Sequence, residues 1–227
     1  MTTDNDKPPP LAELEAAVHR SPGDVGAWRN LADAYCAADM FALAVELLEH
    51  AVRIAPRDPG TRQFLATALR EAGRARDAIP HLEEALRLDP DDAANIVFDL
   101  GAAFDEAGDH ATAATHFRRA VELRPRMGVG WLRLGWALVA DGRYAEAIEA
   151  FDTASRYRPK SAYLLHGLGI AYARTGQDLK AVQAYRLSLR ADPARLEVLF
   201  DLDASCRRLG RLDEADAVLA PGRAGGE

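Results

Sequence analysis

Apolar residues recur along the chain at helical spacing, in short runs separated by turn residues. The first complete pair of runs contains Trp28, Leu31, Ala32, Tyr35, Ala44, Leu48 and Ala51. Residues three and four positions apart lie on one face of an α-helix, so each run predicts an amphipathic helix. Ala38 and Asp39 separate the two runs, and Pro56 follows the second. The pattern therefore predicts two antiparallel helices joined by a short turn.

The same pattern returns about every 34 residues. A proline closes the second helix each time, at Pro22, Pro56, Pro90, Pro125, Pro159 and Pro193. A fixed period of this length is the signature of a repeat array, in which each repeat buries its apolar face only against its neighbours. We expect one continuous solenoid from about residue 23 to residue 221, with no room for a second fold.

Each repeat has the same kind of residue at equivalent positions, which we call slots. These slots match the pattern W-x2-L-G-x2-Y, A-x3-F, P. The chain therefore resembles the tetratricopeptide repeat family over about nine-tenths of its length. The resemblance implies an all-α fold, a right-handed α-solenoid or superhelix of antiparallel helix hairpins. The predicted repeats span residues 25–58, 59–93, 94–127, 128–161 and 162–195, with a partial repeat at 196–221. Residues 11–22 are expected to form a capping helix, residues 1–10 a disordered leader, and residues 222–227 a flexible tail.

The small residues in the pattern have their own physical explanation. Glycine or alanine after the central leucine lets two helix backbones approach closely. Gly73, Gly108, Gly142 and Gly176 follow the first helices, where a left-handed residue ends a helix. The sequence therefore predicts that these four glycines terminate the first helices.

Composition excludes several kinds of function. The net charge of −7 and the pI near 5.4 argue against binding to a nucleic-acid backbone, which needs a clustered basic surface. Cys36 and Cys206 lie far apart, so neither a disulfide framework nor a thiolate metal site is supported. No apolar stretch approaches the length of a membrane span. We expect a cytoplasmic protein that binds neither nucleic acid nor membrane.

In the family that the chain resembles, the first helix of each hairpin lines a concave groove that binds peptides. The residues predicted to contact a peptide there are Arg29, Asn30, Asp33, Phe64, Arg70, Phe98, Asp99, Arg133, Trp136, His166, Phe200 and Arg207. The four aromatic residues of this set are expected to add little to packing between layers. Aromatic anchors near arginines are typical of binding hot spots, which favours a binding role. The alternative is that the rings pack against adjacent first helices and only stiffen the array.

No nucleophile elbow, phosphate-binding loop or Cys-His couple is present, so no catalytic residue, cofactor or metal site is predicted. We expect a non-catalytic adaptor or scaffold that binds extended peptide segments of other proteins. Binding of a chaperone's C-terminal tail is disfavoured, because Asp33 and Asp99 would repel its carboxylate. Two alternatives stay open. One is a scaffold that assembles with itself through an uncapped C-terminal end, and the other is a regulatory or substrate-presenting subunit of an enzyme or secretion complex.

Overall fold

The computed structural model describes residues 10–157 and 161–219. Within these ranges the chain forms thirteen α-helices and no strand. The helices are α1 (Leu11–Arg20), α2 (Val25–Ala37), α3 (Phe41–Ile54), α4 (Pro59–Glu71), α5 (Ala75–Leu88), α6 (Ala93–Glu106), α7 (His110–Leu123), α8 (Gly128–Ala140), α9 (Tyr144–Ser155), α10 (Ala162–Arg174), α11 (Asp178–Ala191), α12 (Leu196–Arg208) and α13 (Leu212–Leu219). The predicted fold class, an all-α array of helix hairpins, is confirmed.

The chain divides into two compact units, one ending at Asp109 and the other beginning at His110. In the first unit, α2 packs on α3, and α4 packs on α5. In the second unit, the corresponding hairpins are α8 with α9, α10 with α11, and α12 with α13. None of the described helices is long and apolar enough to cross a membrane.

Polar residues start several of the first helices. The side chain of Asp58 accepts a hydrogen bond from the backbone N–H of Thr61 at 3.0 Å, and Pro59 occupies the first turn of α4. Asp24 caps α2 and Ser161 caps α10 in the same way. These caps satisfy N–H groups that have no partner within the helix. Side-chain caps thus fix where α2, α4 and α10 begin.

The predicted terminator glycines are confirmed. Gly73, Gly108, Gly142, Gly176 and Gly210 have φ values between 72° and 87°. The corresponding position after α2 is Asp39, with φ of 56°, and it is the only non-glycine residue with positive φ in the described part of the chain. Aspartate tolerates this conformation better than most residues do, because its short side chain can hydrogen-bond locally.

In four hairpins, α2–α3, α4–α5, α8–α9 and α10–α11, a small residue of the first helix matches a large residue of the second. In the first unit, alanine occurs with leucine, as Ala32 with Leu48 and Ala66 with Leu82, all in one buried cluster. In the second unit, glycine occurs with an aromatic ring, as Gly135 with Phe151 and Gly169 with Tyr185. A larger side chain on the second helix therefore requires a smaller residue on the first helix.

Phe151 shows how tight this fit is. Its fully buried ring lies against Gly135 in α8 and also against Gly167 in α10. A Cβ atom added at Gly135 would lie 2.6 Å from the ring, well inside van der Waals contact. The ring thus occupies the space that two glycines open between α8, α9 and α10.

The two ends of the array differ from its middle. Helix α1 packs against α2 through Val18, Ala27 and Leu31. At the other end, α13 packs against α12 and is described as far as Leu219, where the described part of the chain ends. The predicted leader, except for Pro10, and the predicted tail lie outside the described residues, as do Pro159 and Pro221.

The pairing of slots leads to a testable prediction for stability. We expect Gly135→Ala to lower the free energy of unfolding by about 1 to 3 kcal/mol, because the new methyl group overlaps the Phe151 ring. In a Phe151→Leu background the methyl group has room, so the same substitution should cost about 1 kcal/mol less. Urea unfolding of the four proteins of this double-mutant cycle measures the coupling. Strictly additive effects would contradict the proposed fit.

Candidate functional site on the first helices

First helices of successive hairpins pack side by side within each unit. In the first unit α4 contacts both α2 and α6, and in the second unit α10 contacts both α8 and α12. Outward side chains at equivalent positions of these helices therefore become neighbours. We call the surface they form the first-helix face of each unit. The twelve residues predicted to contact a peptide all lie on first helices, but their surroundings differ.

An exposed aromatic ring is the main feature of the first-helix face in the first unit. Phe64 is 41% exposed, and the guanidinium of Arg29 lies 4.6 Å from its ring centroid. Arg29 also lies 3.6 Å from the carboxylate of Asp58. A small cavity of about 270 Å³ adjoins the ring and is lined by Gly60, Gln63, Phe64, Thr67 and Asp99. The arrangement offers an apolar surface with a cation above it.

Next to this cavity, charged side chains of α4 and α6 form an ion pair with each other. Arg70 donates from Nε and Nη2 to Glu106 at 2.9 and 2.5 Å, and its Nη1 lies 4.0 Å from Asp99. Burial raises the pKa of Asp99 above its ordinary value, while the charge of Arg70 lowers it. Arg70 is thus held mainly by a bidentate pair with Glu106, which leaves Asp99 with weak compensation for its lost hydration.

The remaining predicted residues of the first unit lie in different surroundings. Asn30 and Asp33 are exposed and line a cleft of about 550 Å³ beside α1, together with Leu11 and Leu14. Phe98 is half-buried in α6. The structure therefore brings together four of the predicted residues, Arg29, Phe64, Arg70 and Asp99. It places Asn30 and Asp33 elsewhere, next to α1.

Trp136 is the central aromatic residue of the second unit. Its indole stacks on Tyr163 with ring centroids 4.4 Å apart and meets Phe151 edge-on at 5.8 Å. The expectation that this residue adds little to packing between layers is wrong, because it joins α8 to both α9 and α10. Its Nε1 is a buried donor without a hydrogen-bond partner within the described ranges, which costs free energy.

His166 is held by a network rather than facing the surface. Its side chain is buried, and its Nε2 lies 2.8 Å from the carboxylate of Asp201. Its Nδ1 lies 3.4 Å from Nη2 of Arg195, which can only donate. From this geometry, the tautomer of the neutral ring is assigned as the one with its N–H at Nε2, which donates a hydrogen bond to Asp201. Arg195 also stacks over Tyr163 at 5.3 Å, so the network fixes that ring as well.

The other predicted residues of the second unit differ in orientation. Phe200 is 67% exposed, and Arg133 is exposed as well. Arg207 lies 3.0 Å from Asp203 and 2.9 Å from Asp216 of α13. Arg207 is thus paired with the second helix of its own hairpin, which takes it away from the neighbouring first helices.

Comparison with family models decides what kind of repeat this is. One model of the tetratricopeptide repeat matches residues 65–127 and 132–195, and another matches residues 23–91. The chain belongs to the tetratricopeptide repeat family. Members of this family are protein-interaction modules, so the assignment supports an adaptor role in general.

Several solved tetratricopeptide repeat structures share the fold. YrrB, described as a TPR protein with an unusual peptide-binding site, is 18% identical with a TM-score of 0.69, over 84% of this chain and 97% of YrrB. MamA is 21% identical with a TM-score of 0.67, over 76% of this chain and 94% of MamA. The Cut9–Hcn1 hetero-tetramer of APC/C gives a TM-score of 0.71 at 17% identity, over 92% of this chain and 41% of the matched chain. At such low identity these likenesses show the fold alone. No curated protein matches the chain.

Residues outside the predicted set also shape this tetratricopeptide repeat surface. Arg195 lies before α12 and holds both His166 and Tyr163. No repeat slot marks it, since it lies in a loop, and only the packing of α10 against α12 brings it to the ring. Asp201 and Tyr163 lie outside the twelve, but the helical period does predict that both occupy outward positions on first helices.

The raised pKa of Asp99 leads to a prediction about pH. Its contribution to stability is fully present below its unfolded pKa of about 4 and is lost as pH rises through the higher folded value. We expect Asp99→Asn, which carries no charge, to become more stable relative to the unchanged chain between about pH 4 and pH 8. Urea unfolding across this range measures the difference. The exposed loop variant Asp91→Asn is the control, and parallel pH curves for both variants would contradict the prediction.

The packing of Trp136 leads to a second prediction. We expect Trp136→Ala to lower the free energy of unfolding by about 3 kcal/mol, because it opens a cavity beside Tyr163 and Phe151. Trp136→Phe keeps a ring and removes the unpaired N–H, so its effect should stay under about 1 kcal/mol. Denaturant unfolding compares the two variants. Equal losses would contradict the packing role assigned to the ring.

Proposed function

We propose that this chain is a non-catalytic adaptor that binds extended peptide segments of other proteins on its first-helix faces. The observation that carries the proposal is the exposure of Phe64 and Phe200 on those faces. Exposing a large aromatic ring to water has no benefit for a repeat that only needs to stack. A partner's side chain that covers the ring would remove that apolar surface from water.

Charge near these rings supports a peptide ligand over a purely apolar one. Arg29 lies over Phe64, and Arg133 is an exposed cation on the second unit's face. Arginine and aromatic side chains are enriched at interface hot spots because they combine apolar area with directed hydrogen bonds. Asp33 and Asp99 add negative charge in the first unit. A segment with apolar anchors and charges of both signs fits this surface.

Two further parts of the proposal rest on family membership and composition. Tetratricopeptide repeats are typically non-catalytic, and the described residues include no group of three His, Cys, Asp or Glu side chains that could hold a metal ion. YrrB, which shares the fold, is described as having a peptide-binding site. We propose a cytoplasmic setting, which the two unpaired cysteines favour.

Self-assembly is a second candidate, favoured by one observation. On α12, Leu196 is 63% exposed and Phe200, one turn further, is 67% exposed, while Leu212 of α13 is 55% exposed. Leu196 and Phe200 thus form a short apolar strip on one face of α12, and Leu212 adds a third exposed apolar side chain to the last hairpin that is described. A second copy that covers this strip would bury the same Phe200 that the adaptor proposal assigns to a peptide.

A peptide selection with matched variants tests the adaptor proposal. Random dodecapeptides displayed on phage are selected on the full chain, and the dissociation constants of the recovered peptides are measured by fluorescence anisotropy. We expect Phe64→Ala or Phe200→Ala to weaken binding about tenfold or more, as loss of a hot-spot residue does. Leu123→Ala and Leu179→Ala are controls, because these leucines are 43% and 61% exposed but lie on second helices.

The same samples separate the two candidates. Light scattering that shows a monomer, combined with peptide binding that depends on the aromatic residues, supports the adaptor. Equal effects of the control leucines would contradict binding on the first-helix faces. A mass that rises with concentration and falls in Phe200→Ala supports self-assembly instead.

A further inference from the structure

A cavity lies between α1, α2 and α3, apart from the first-helix faces. Its volume is about 270 Å³. Val18, Leu31 and Leu47 form its apolar wall, and the rings of Trp28 and Tyr35 border it. Pockets for small-molecule ligands usually exceed about 300 Å³. The size therefore suits one side chain of a partner better than a cofactor.

The aromatic walls of this cavity are fixed in place. Trp28 donates from Nε1 to the carbonyl of Pro22 at 2.9 Å, and its ring lies 4.1 Å from the ring of His50. The hydroxyl of Tyr35 donates to Glu15 at 3.1 Å, and this hydrogen bond raises the pKa of Tyr35. Both rings are thus oriented before any ligand arrives, which reduces the entropy lost on binding.

Two carboxylate side chains line the same cavity. Glu15 comes from α1 and Glu46 from α3, and both line it together with His19. Among the described residues, neither carboxylate forms an ion pair with a lysine or arginine. Residues 1–109 also carry about twice as many acidic as basic side chains, which makes the surroundings attractive to a cation.

The next layer of the array keeps one carboxylate, because Glu49 corresponds to Glu15, but it lacks the aromatic walls and the second carboxylate. One repeat later, Trp28 corresponds to Arg62, Tyr35 to Leu69 and Glu46 to Pro80. Aromatic walls with carboxylates are therefore not a general consequence of repeat packing.

We propose that this cavity binds the side chain of a lysine or arginine from a partner polypeptide. Such a side chain has an apolar stem and a charged head, and it can bury the stem while the head stays near water. Here the stem would lie against Leu31 and Leu47. The cation would lie over the face of an aromatic wall and near the free carboxylate oxygens of Glu15 and Glu46.

The site lies outside the first-helix faces, so it adds to the proposed function and does not depend on it. A partner could place a peptide on the first-helix face and a basic residue here. Loss of binding at one place would leave the other unaffected.

Three acetylated and amidated tripeptides test the proposal, with glycine on either side of lysine, norleucine or glutamate. Lysine and norleucine share the apolar stem, and only lysine adds the charge. Each is titrated into the full chain labelled with ¹⁵N, and the indole N–H signal of Trp28 is followed by NMR, assigned with Trp28→Phe. We expect the lysine peptide to bind about tenfold more tightly than the glutamate peptide and about fivefold more tightly than the norleucine peptide.

A charge-removing variant completes the test. Glu46→Gln keeps the shape of the wall, and it should weaken binding of the lysine peptide about threefold while leaving the norleucine peptide unchanged. Glu49→Gln, at an exposed position of the same helix outside the cavity, is the matched control. Thermal unfolding by circular dichroism verifies that both variants fold. Equal affinities for the three peptides, no shift of the Trp28 signal with lysine, or equal effects of the two variants would overturn the proposal.

Discussion

The close approach of two helices within each hairpin is the constraint on which the structure depends. It requires a small residue on the first helix and a side chain of matching size on the second. Alanine with leucine meets this requirement in the first unit, and glycine with an aromatic ring meets it in the second. Since interiors are packed almost without voids, a change on one side must be matched on the other. The fit also fixes which face of each helix points into its hairpin, and so which face points outward.

The outward positions of the first helices are free of that constraint, and the chain uses them in two ways. Some side chains serve the array itself: Trp136 joins three helices, and His166 is held between Asp201 and Arg195. Others are left exposed, above all Phe64 and Phe200. The same slot therefore contains a structural residue in one repeat and a candidate contact in another, because only the neighbouring side chains decide how far it is covered.

Ion pairs likewise determine which arginines of the candidate surface are available to a ligand. Arg70 is occupied by Glu106, and Arg207 by Asp203 and Asp216, so neither is an available cation for a ligand. Arg29 is shared between Phe64 and Asp58. Repeat position predicts that an arginine lies on a first helix, but the charge it meets depends on a carboxylate 4 to 36 residues away. That carboxylate belongs to the same repeat for Arg207 and to the next repeat for Arg70. Charge availability thus cannot be derived from one repeat at a time.

The sequence by itself determined the hairpin architecture and the glycines that end the first helices. These features depend on local conformational preferences and on a period that repeats several times, so each repeat confirms the others. The tertiary structure alone decided that Trp136 is a packing residue, that Arg195 holds His166, and that Trp28 and Tyr35 border a cavity with two carboxylates. These contacts join side chains from different helices with no fixed spacing. They are set by how neighbouring helices pack, and the hydrophobic period does not record this.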